Sequence, residues 1–165
     1  MTTPDDPAAV LTRLLHAVDA LHWARVRDCV ADQLELDYTE LFGGEPQLVT
    51  GDQLVAGWQS LLPGFDATHH MTGPVLTEPA NGGGADGDLP LRAQVRGLHQ
   101  LAGAEGGDLW DVYGQYEVRL TKADGGWRIS RLVLHLIHQA GNTGLPELAV
   151  ARAATSPRAP RPELA

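Results

Sequence analysis

Residues 109–138, LWDVYGQYEVRLTKADGGWRISRLVLHLIH, decide the fold. Residues 109–121 read as one long strand, Asp124-Gly125-Gly126 as a tight turn, and residues 127–138 as a last strand. That last strand is apolar on both faces, which places it centrally in a sheet. Just upstream, Leu89, Leu91, Ala93, Val95, Gly97 and His99 share one face of another strand, and GAEGGD (103–108) turns the chain between the two. Before it, ANGGGADGD (80–88) reads as a hairpin loop and residues 66–76 as a further strand. The second half of the chain is thus a run of antiparallel strands.

The first half supplies helices. Asp6 followed by Pro7 reads as an N-cap and first helical residue, after which Val10, Leu11, Leu14, Leu15 and Val18 recur at helical spacing. The helix breaks near His22 and restarts from Trp23 through Val30. Residues 34–39, LELDYT, alternate as a half-buried strand with Leu34, Leu36 and Tyr38 on one face. Gly43-Gly44 and Pro46 mark a loop. Thr50 then caps a third helix, whose inner stripe is Leu54, Val55, Trp58, Leu61 and Leu62 and which Pro63-Gly64 stops. A short helix begins at Pro146, and the Pro-rich end TSPRAPRPELA reads as disordered. Helices gathered before hairpin strands argue an α+β fold. Strands this long twist and curl, so helices on the concave face would close one pocket.

The 165 residues fit one domain, expected over residues 5–150 with flexible ends at 1–4 and 151–165. A net charge of −9 without any basic cluster argues against nucleic acid and against an anionic membrane. The N-terminus lacks the regions of a signal peptide and no apolar run would span a bilayer, so a cytoplasmic location is expected. The single cysteine, Cys29, lies in an apolar helical stretch and reads as a small core residue. No HExxH motif or Cys-His cluster points to a metal, no GxSxG to a hydrolase and no GxGxxG after a strand to a dinucleotide, so neither metal nor cofactor is expected.

Polar groups on apolar faces carry the chemistry, because burying them unpaired is costly. Asp19 follows Leu11 and Leu15 on the inner stripe of the first helix, with His22 as a local alternative partner. His99 ends an apolar strand face and Tyr38 ends the inner face of the first strand. His69 and His70 are neighbours in a strand and point to opposite faces. Simple alternation favours His69 as the inward one, with Phe65, Ala67, Met71 and Val75, but the face that His70 shares with Thr68 and Thr72 could equally line a polar pocket, so the pattern alone leaves the choice open. His135 and His138 fall on opposite faces of the last strand.

The segments LDYTELFGG (36–44), GFDATHHMTGP (64–74), VRGLH (95–99) and YEVRLTKADGGWRISRL (116–132) resemble the nuclear-transport-factor-2-like superfamily, and within it the SnoaL-like and scytalone dehydratase branch. The resemblance covers about residues 5–140. It implies a cone-shaped α+β barrel, a strongly curved, mostly antiparallel sheet with helices on its concave face around one pocket. It implies a catalytic aspartate at Asp19, four residues before Trp23, and a catalytic tyrosine at Tyr38. It also implies catalytic histidines at His70 and His99, with His70 as base and His99 oriented by Asp19. Val18 stands where the dehydratase has a second tyrosine, and Gly114 and Tyr116 stand where it has a serine and an asparagine. With Trp23 and Trp58, these three are the expected substrate-binding positions.

The resemblance thus implies a cofactor-independent dehydratase or isomerase acting on a cyclic, polyketide-like carbonyl compound. The alternatives are a SnoaL-like polyketide cyclase, a non-catalytic pocket for an apolar or aromatic small molecule, and a structural or regulatory dimer. Relatives of this kind are commonly homodimers or homotrimers.

Overall fold

A computed structural model describes residues 6–77, 88–123 and 125–162. The first helix, α1 (Ala8–Ala20), starts where the Asp6 carboxylate accepts the Ala8 N–H at 3.0 Å. Its apolar stripe, Val10, Leu11, Leu14, Leu15 and Val18, is buried along its whole length. The helix ends because Leu21 turns into the left-handed region (φ 59°), a conformation a leucine adopts only when held there. Burial in the core holds it. A second helix, α2 (Trp23–Cys29), follows, and Val30 already belongs to the sheet.

Strand β1 (Val30–Asp37) is shorter at its end than the alternation suggested. Asp37 accepts hydrogen bonds from the Thr39 N–H (3.0 Å) and hydroxyl (2.7 Å), an Asx-type turn that bends the chain into α3 (Thr39–Phe42). Tyr38 therefore sits at the corner, not in the strand. A short strand absent from the sequence reading, β2 (Gln47–Thr50), pairs with β1. The Thr50 hydroxyl accepts the Gln53 N–H and the Gln53 side chain accepts the Thr50 N–H, a capping box that starts α4 (Gly51–Gln59). A 3₁₀ turn over Leu62–Gly64 ends this region.

The remaining strands are β3 (Ala67–Thr72), β4 (Leu76–Thr77), β5 (Leu89–Gln100), β6 (Leu109–Ala123) and β7 (Gly126–Gly141), with α5 (Leu145–Ala153) after them. Pro74 divides the expected strand 66–76 into β3 and β4. Of the expected loop 80–88, all but Asp88 lies outside the described residues. The sheet runs β2-β1-β7-β6-β5-β3, with β4 beside β3 on β5. Among the described residues only β1 and β7 pair in parallel. The apolar last strand is flanked by β1 and β6, as its composition required. The sheet curves without closing, and α1 lies across β3 and β7 in one core with the inner face of β5, β6 and β7. The result is the cone-shaped α+β architecture expected from the sequence. Among the described residues no helix is long and apolar enough to cross a membrane.

Two expectations are corrected. The β6–β7 register shifts between Tyr113 and Gly114, where Tyr113 pairs with His138 and Gly114 with Leu136. One extra residue at this bulge reverses the alternation, so His135 and His138 both contact outward-facing groups, Glu117 and Tyr113 respectively. The flexible end expected from residue 151 does not hold for residues 151–162. There α5 continues through Ala153, and the N–H groups of Arg158 and Arg161 donate to the carbonyls of Pro63 (2.7 Å) and Ala20 (3.0 Å). Composition cannot show such acceptors on a distant part of the chain. Residues 1–4 and 163–165 lie outside the described residues.

Two glycines test this packing in opposite directions. A Cβ on Gly64 would lie 1.8 Å from the Ala149 carbonyl oxygen, so α5 rests directly on glycine backbone. Gly64→Ala is expected to cost about 3 kcal/mol in urea unfolding. Gly57, inside α4 with nothing within 4 Å of a Cβ, gives the opposite outcome. Gly57→Ala should stabilise the fold by roughly 0.5–1 kcal/mol, through helix propensity and loss of unfolded-state entropy.

Candidate active site

The concave side holds a cavity of about 670 Å³, its open mouth included. Helix α1 contributes Leu14, Leu15 and Val18 to its wall, α4 contributes Trp58, and the corner at α3 contributes Tyr38, Leu41 and Phe42. The sheet contributes the polar groups. Among the described residues no Lys, Arg, Asp or Glu lines the wall.

His70 is the residue of the pair that looks inward. Thr68 is fully buried and the His70 side chain is 11% exposed, whereas that of His69 is 61% exposed. The alternation counted from Phe65 fails because β3 begins only at Ala67, after a bend at residues 65–66. His70 Nδ1 lies 2.7 Å from Asp19 Oδ1, and the His70 backbone N–H donates to Asp19 Oδ2, also at 2.7 Å. Both carboxylate oxygens thus fix one residue. Burial pushes the Asp19 carboxyl upward, but the hydrogen bond and charge of the His70 ring and the His70 N–H outweigh it and bring it below the usual range. An ionised carboxylate only accepts, so Nδ1 carries the hydrogen and Nε2 presents a lone pair.

His99 is not oriented by Asp19, contrary to the expectation drawn from the resemblance. Its Nδ1 lies 3.3 Å from the carbonyl oxygen of Trp110, its partner across the β5–β6 ladder. A carbonyl too can only accept, so Nδ1 again carries the hydrogen. The ring packs against the Trp110 indole (centroids 4.5 Å) and Phe65 (5.0 Å) and meets His70 edge-on at 5.3 Å. Burial, with a smaller push from His70, brings its pKa down to about 3. His99 is therefore neutral across the physiological range. His22, the local alternative partner for Asp19, contacts the Arg161 carbonyl oxygen at 2.7 Å.

Tyr38 and Tyr116 bring their hydroxyls together at 3.2 Å with rings edge to face. Burial pushes both phenols above their usual range, Tyr38 well above it. In such a pair one hydroxyl donates to the other, and one hydrogen is left for a further acceptor.

Of the other expected binding positions, Val18, Trp58 and Tyr116 line the cavity. Gly114 and Trp23 do not. Gly114 sits at the bulge, where a Cβ would lie 2.6 Å from the His135 carbonyl oxygen, so strand approach accounts for the glycine. Trp23 opens α2 beyond the left-handed turn and packs against the core away from the wall. Trp110 and Phe42 line the wall but were not singled out in the sequence, and Gly97 was placed on the inner face of its strand without a role in the site. Trp110 stood on the inner face of a strand already identified, but nothing marked it as stacked on His99. Among the described residues no group of three His, Cys, Asp or Glu side chains is gathered to hold a metal ion.

Gly97 makes room for both imidazoles. A Cβ there would lie 3.1 Å from His70 Cδ2, 3.2 Å from His70 Nε2 and 3.2 Å from His99 Cε1. Gly97→Ala is expected to leave the fold intact while displacing both rings. The check is a ring-proton NMR spectrum, in which the His70 and His99 signals should move together and those of His16 and His138 should stay in place.

Residues 8–133 match the family model of the SnoaL-like domain. No curated protein matches the chain by sequence. Among solved structures, a protein from Kribbella flavida (Kfla4162) is 25% identical with a TM-score of 0.75, over 84% of this chain and 92% of that one. A candidate scytalone dehydratase from Novosphingobium aromaticivorans is 18% identical with a TM-score of 0.63, over 81% of this chain and 83% of that one. The hexachlorocyclohexane dehydrochlorinase LinA-type3 from Novosphingobium barchaimii is 19% identical with a TM-score of 0.61, over 82% and 86%. At 18–19% identity the last two speak for the fold alone. The family rests on the matched segment, which runs from α1 into β7 and includes Asp19, Tyr38, His70, His99 and Tyr116: the chain belongs to the SnoaL-like domain family.

Proposed function

We propose that the protein is a cofactor-independent acid–base enzyme of the dehydratase or isomerase kind, acting on an apolar cyclic carbonyl compound. The observation that carries this reading is the 2.7 Å contact between His70 Nδ1 and Asp19 at the wall of an apolar cavity. An imidazole held by a carboxylate at Nδ1 is a competent base at Nε2, and the carboxylate stabilises the imidazolium that forms.

In the proposed step His70 Nε2 takes a proton from the carbon next to the carbonyl. The charge moves to the carbonyl oxygen, where the hydroxyl pair of Tyr38 and Tyr116 offers its remaining hydrogen. If a hydroxyl departs from the neighbouring carbon, the His70 imidazolium returns its proton to it and water leaves. His99 is neutral, with a lone pair on Nε2, and suits holding a substrate hydroxyl as acceptor more than protonating it. Returning the proton to a different carbon gives an isomerase from the same groups. A SnoaL-like cyclase is the second reading. It uses the same groups: the enolate carbon adds to a second carbonyl of the same molecule, and the His70 imidazolium returns its proton to the alkoxide that forms. The proposed ligand in each case is a small apolar or aromatic molecule. Two structural neighbours, the candidate scytalone dehydratase and the hexachlorocyclohexane dehydrochlorinase, are in keeping with a proton-abstracting pocket.

Proton abstraction can be read without the native substrate. In D₂O, wild-type protein is expected to speed exchange of the protons next to the carbonyl of 2-tetralone, followed by ¹H NMR. His70→Ala should lower that rate by about 10²–10⁴-fold, the usual contribution of a positioned base. Equal rates for wild type and His70→Ala would sink the assignment. Tyr116→Phe should slow exchange less than His70→Ala, because Tyr38 keeps its hydroxyl.

A further inference from the structure

We propose that residues 155–162 form a strap that closes the C-terminal end of α1 and holds Asp19 where it can orient His70, with Arg158 as a positioning residue. The strap lies outside the segment matched to the SnoaL-like domain.

The last four carbonyls of a helix have no partner within it and must find one elsewhere. In α1 these belong to Ala17, Val18, Asp19 and Ala20. Local backbone serves the first two: the His22 N–H reaches the Ala17 oxygen at 2.9 Å and the Leu21 N–H reaches the Val18 oxygen at 3.0 Å. The other two are served from the far end of the chain. Arg158 Nη1 donates to the Asp19 oxygen at 3.3 Å and the Arg161 N–H to the Ala20 oxygen at 3.0 Å. The strap is anchored on both sides. The Arg158 N–H donates to the Pro63 oxygen at 2.7 Å, His22 Nε2 donates to the Arg161 oxygen at 2.7 Å, and Arg152 of α5 pairs with Asp66 at 2.6 Å.

Charge points the same way. The C-terminal end of a helix carries partial negative charge, which disfavours a carboxylate and favours a cation. Asp19 sits in that last turn, and α1 has no basic residue there. Arg158, 139 positions away in sequence, supplies the cation. Its Nε and Nη2 are buried and find no acceptor among the described residues, a cost that a solvent-exposed arginine would avoid. The groups facing Asp19 are then His70 by ring and N–H, His69 at 3.9 Å, the Thr68 hydroxyl, His99 and Tyr116 on the pocket side, and Arg158 behind it. Asp66 and Arg161 are the further charges acting on Arg158.

The strap acts on the same Asp19–His70 pair as the proposed reaction, and the test reads the pair itself. In full-length ¹⁵N,¹³C-labelled protein, two signals are followed: the His70 Nδ1–H resonance and the pH midpoint of the Asp19 carboxyl carbon. In Arg158→Met the Nδ1–H should exchange with solvent about tenfold faster and the Asp19 midpoint should rise. Arg158→Lys, which keeps the charge, should stay near wild type in midpoint. Arg161→Pro, which removes the second donor to α1 together with the Arg161 charge, should show a smaller change in both signals than Arg158→Met, with Arg161→Gln as the control for the charge alone, and serves as the reading if Arg158→Met does not fold. A purely structural strap would lower the melting temperature and leave both signals of the folded protein unchanged, and that result overturns the inference. If both signals move but wild type fails to exchange 2-tetralone, the strap stands and the base reading falls.

Discussion

The structure depends on a carboxylate placed where apolar packing would otherwise run unbroken. Asp19 falls on the same stripe of α1 as Leu11 and Leu15 and is only 7% exposed. Left alone there it would have to give up its charge. The fold keeps it ionised by bringing β3 close enough for one residue, His70, to satisfy both oxygens with its ring and its backbone N–H. A helix from the start of the chain and a strand from its middle are thereby locked at one relative position. Where α1 crosses the sheet is thus the same fact as where the imidazole points. The packing of Leu14, Leu15 and Val18 around the cavity follows from that crossing.

The glycines of the sheet serve the same end by different means. At Gly97 the missing side chain leaves space for two imidazoles to meet edge-on. At Gly114 it lets β6 and β7 approach at a bulge, and the Leu136 N–H there is taken up by Glu40 of α3 at 2.7 Å. That bond ties α3 to the sheet, and α3 carries Leu41 and Phe42 onto the cavity wall beside Tyr38. On the outer side His135 bridges Glu40 and Glu117 at 3.2 Å each, and those two carboxylates raise its pKa. The corner that presents Tyr38 is therefore held from outside the pocket as well as within it.

Much of this was legible because it follows short-range rules. The stripe of α1, the capping of α4 by Thr50 and the inner face from Leu91 to His99 are all written in periodicity, and each is seen in the structure. What was not legible depends on where one element's phase or end is set by another. Counting from Phe65 chooses the wrong face for His69, because a bend separates Phe65 from β3. His135 and His138 share a side only because a bulge inserts one residue between them. Residues 155–162 read as unstructured because the carbonyls that hold them belong to α1 and the 3₁₀ turn, far away in sequence. The partner of Asp19 escapes the sequence for the same reason: α1 and β3 each show an inward polar group, and only their crossing says that His70, not His99, receives it.

The two pocket histidines show how one residue type is given two characters by what its Nδ1 touches. His70 faces a carboxylate, so the imidazolium it would form meets a negative charge at 2.7 Å. His99 faces a carbonyl at 3.3 Å between Phe65 and Trp110, where burial opposes an imidazolium. A charge is thus opposed by burial at His99, while a carboxylate stands in contact with the His70 ring beside it. The opposition is mutual, since a charged His70 makes a charge on His99 still less favourable. A proton taken from a substrate in the proposed reaction therefore goes to the ring that Asp19 holds, because burial opposes a charge on the other. A pocket with one proton-holding site favours reactions in which the same group takes a proton and gives it back, whether to a departing hydroxyl or to another carbon. It disfavours those that need an independent acid.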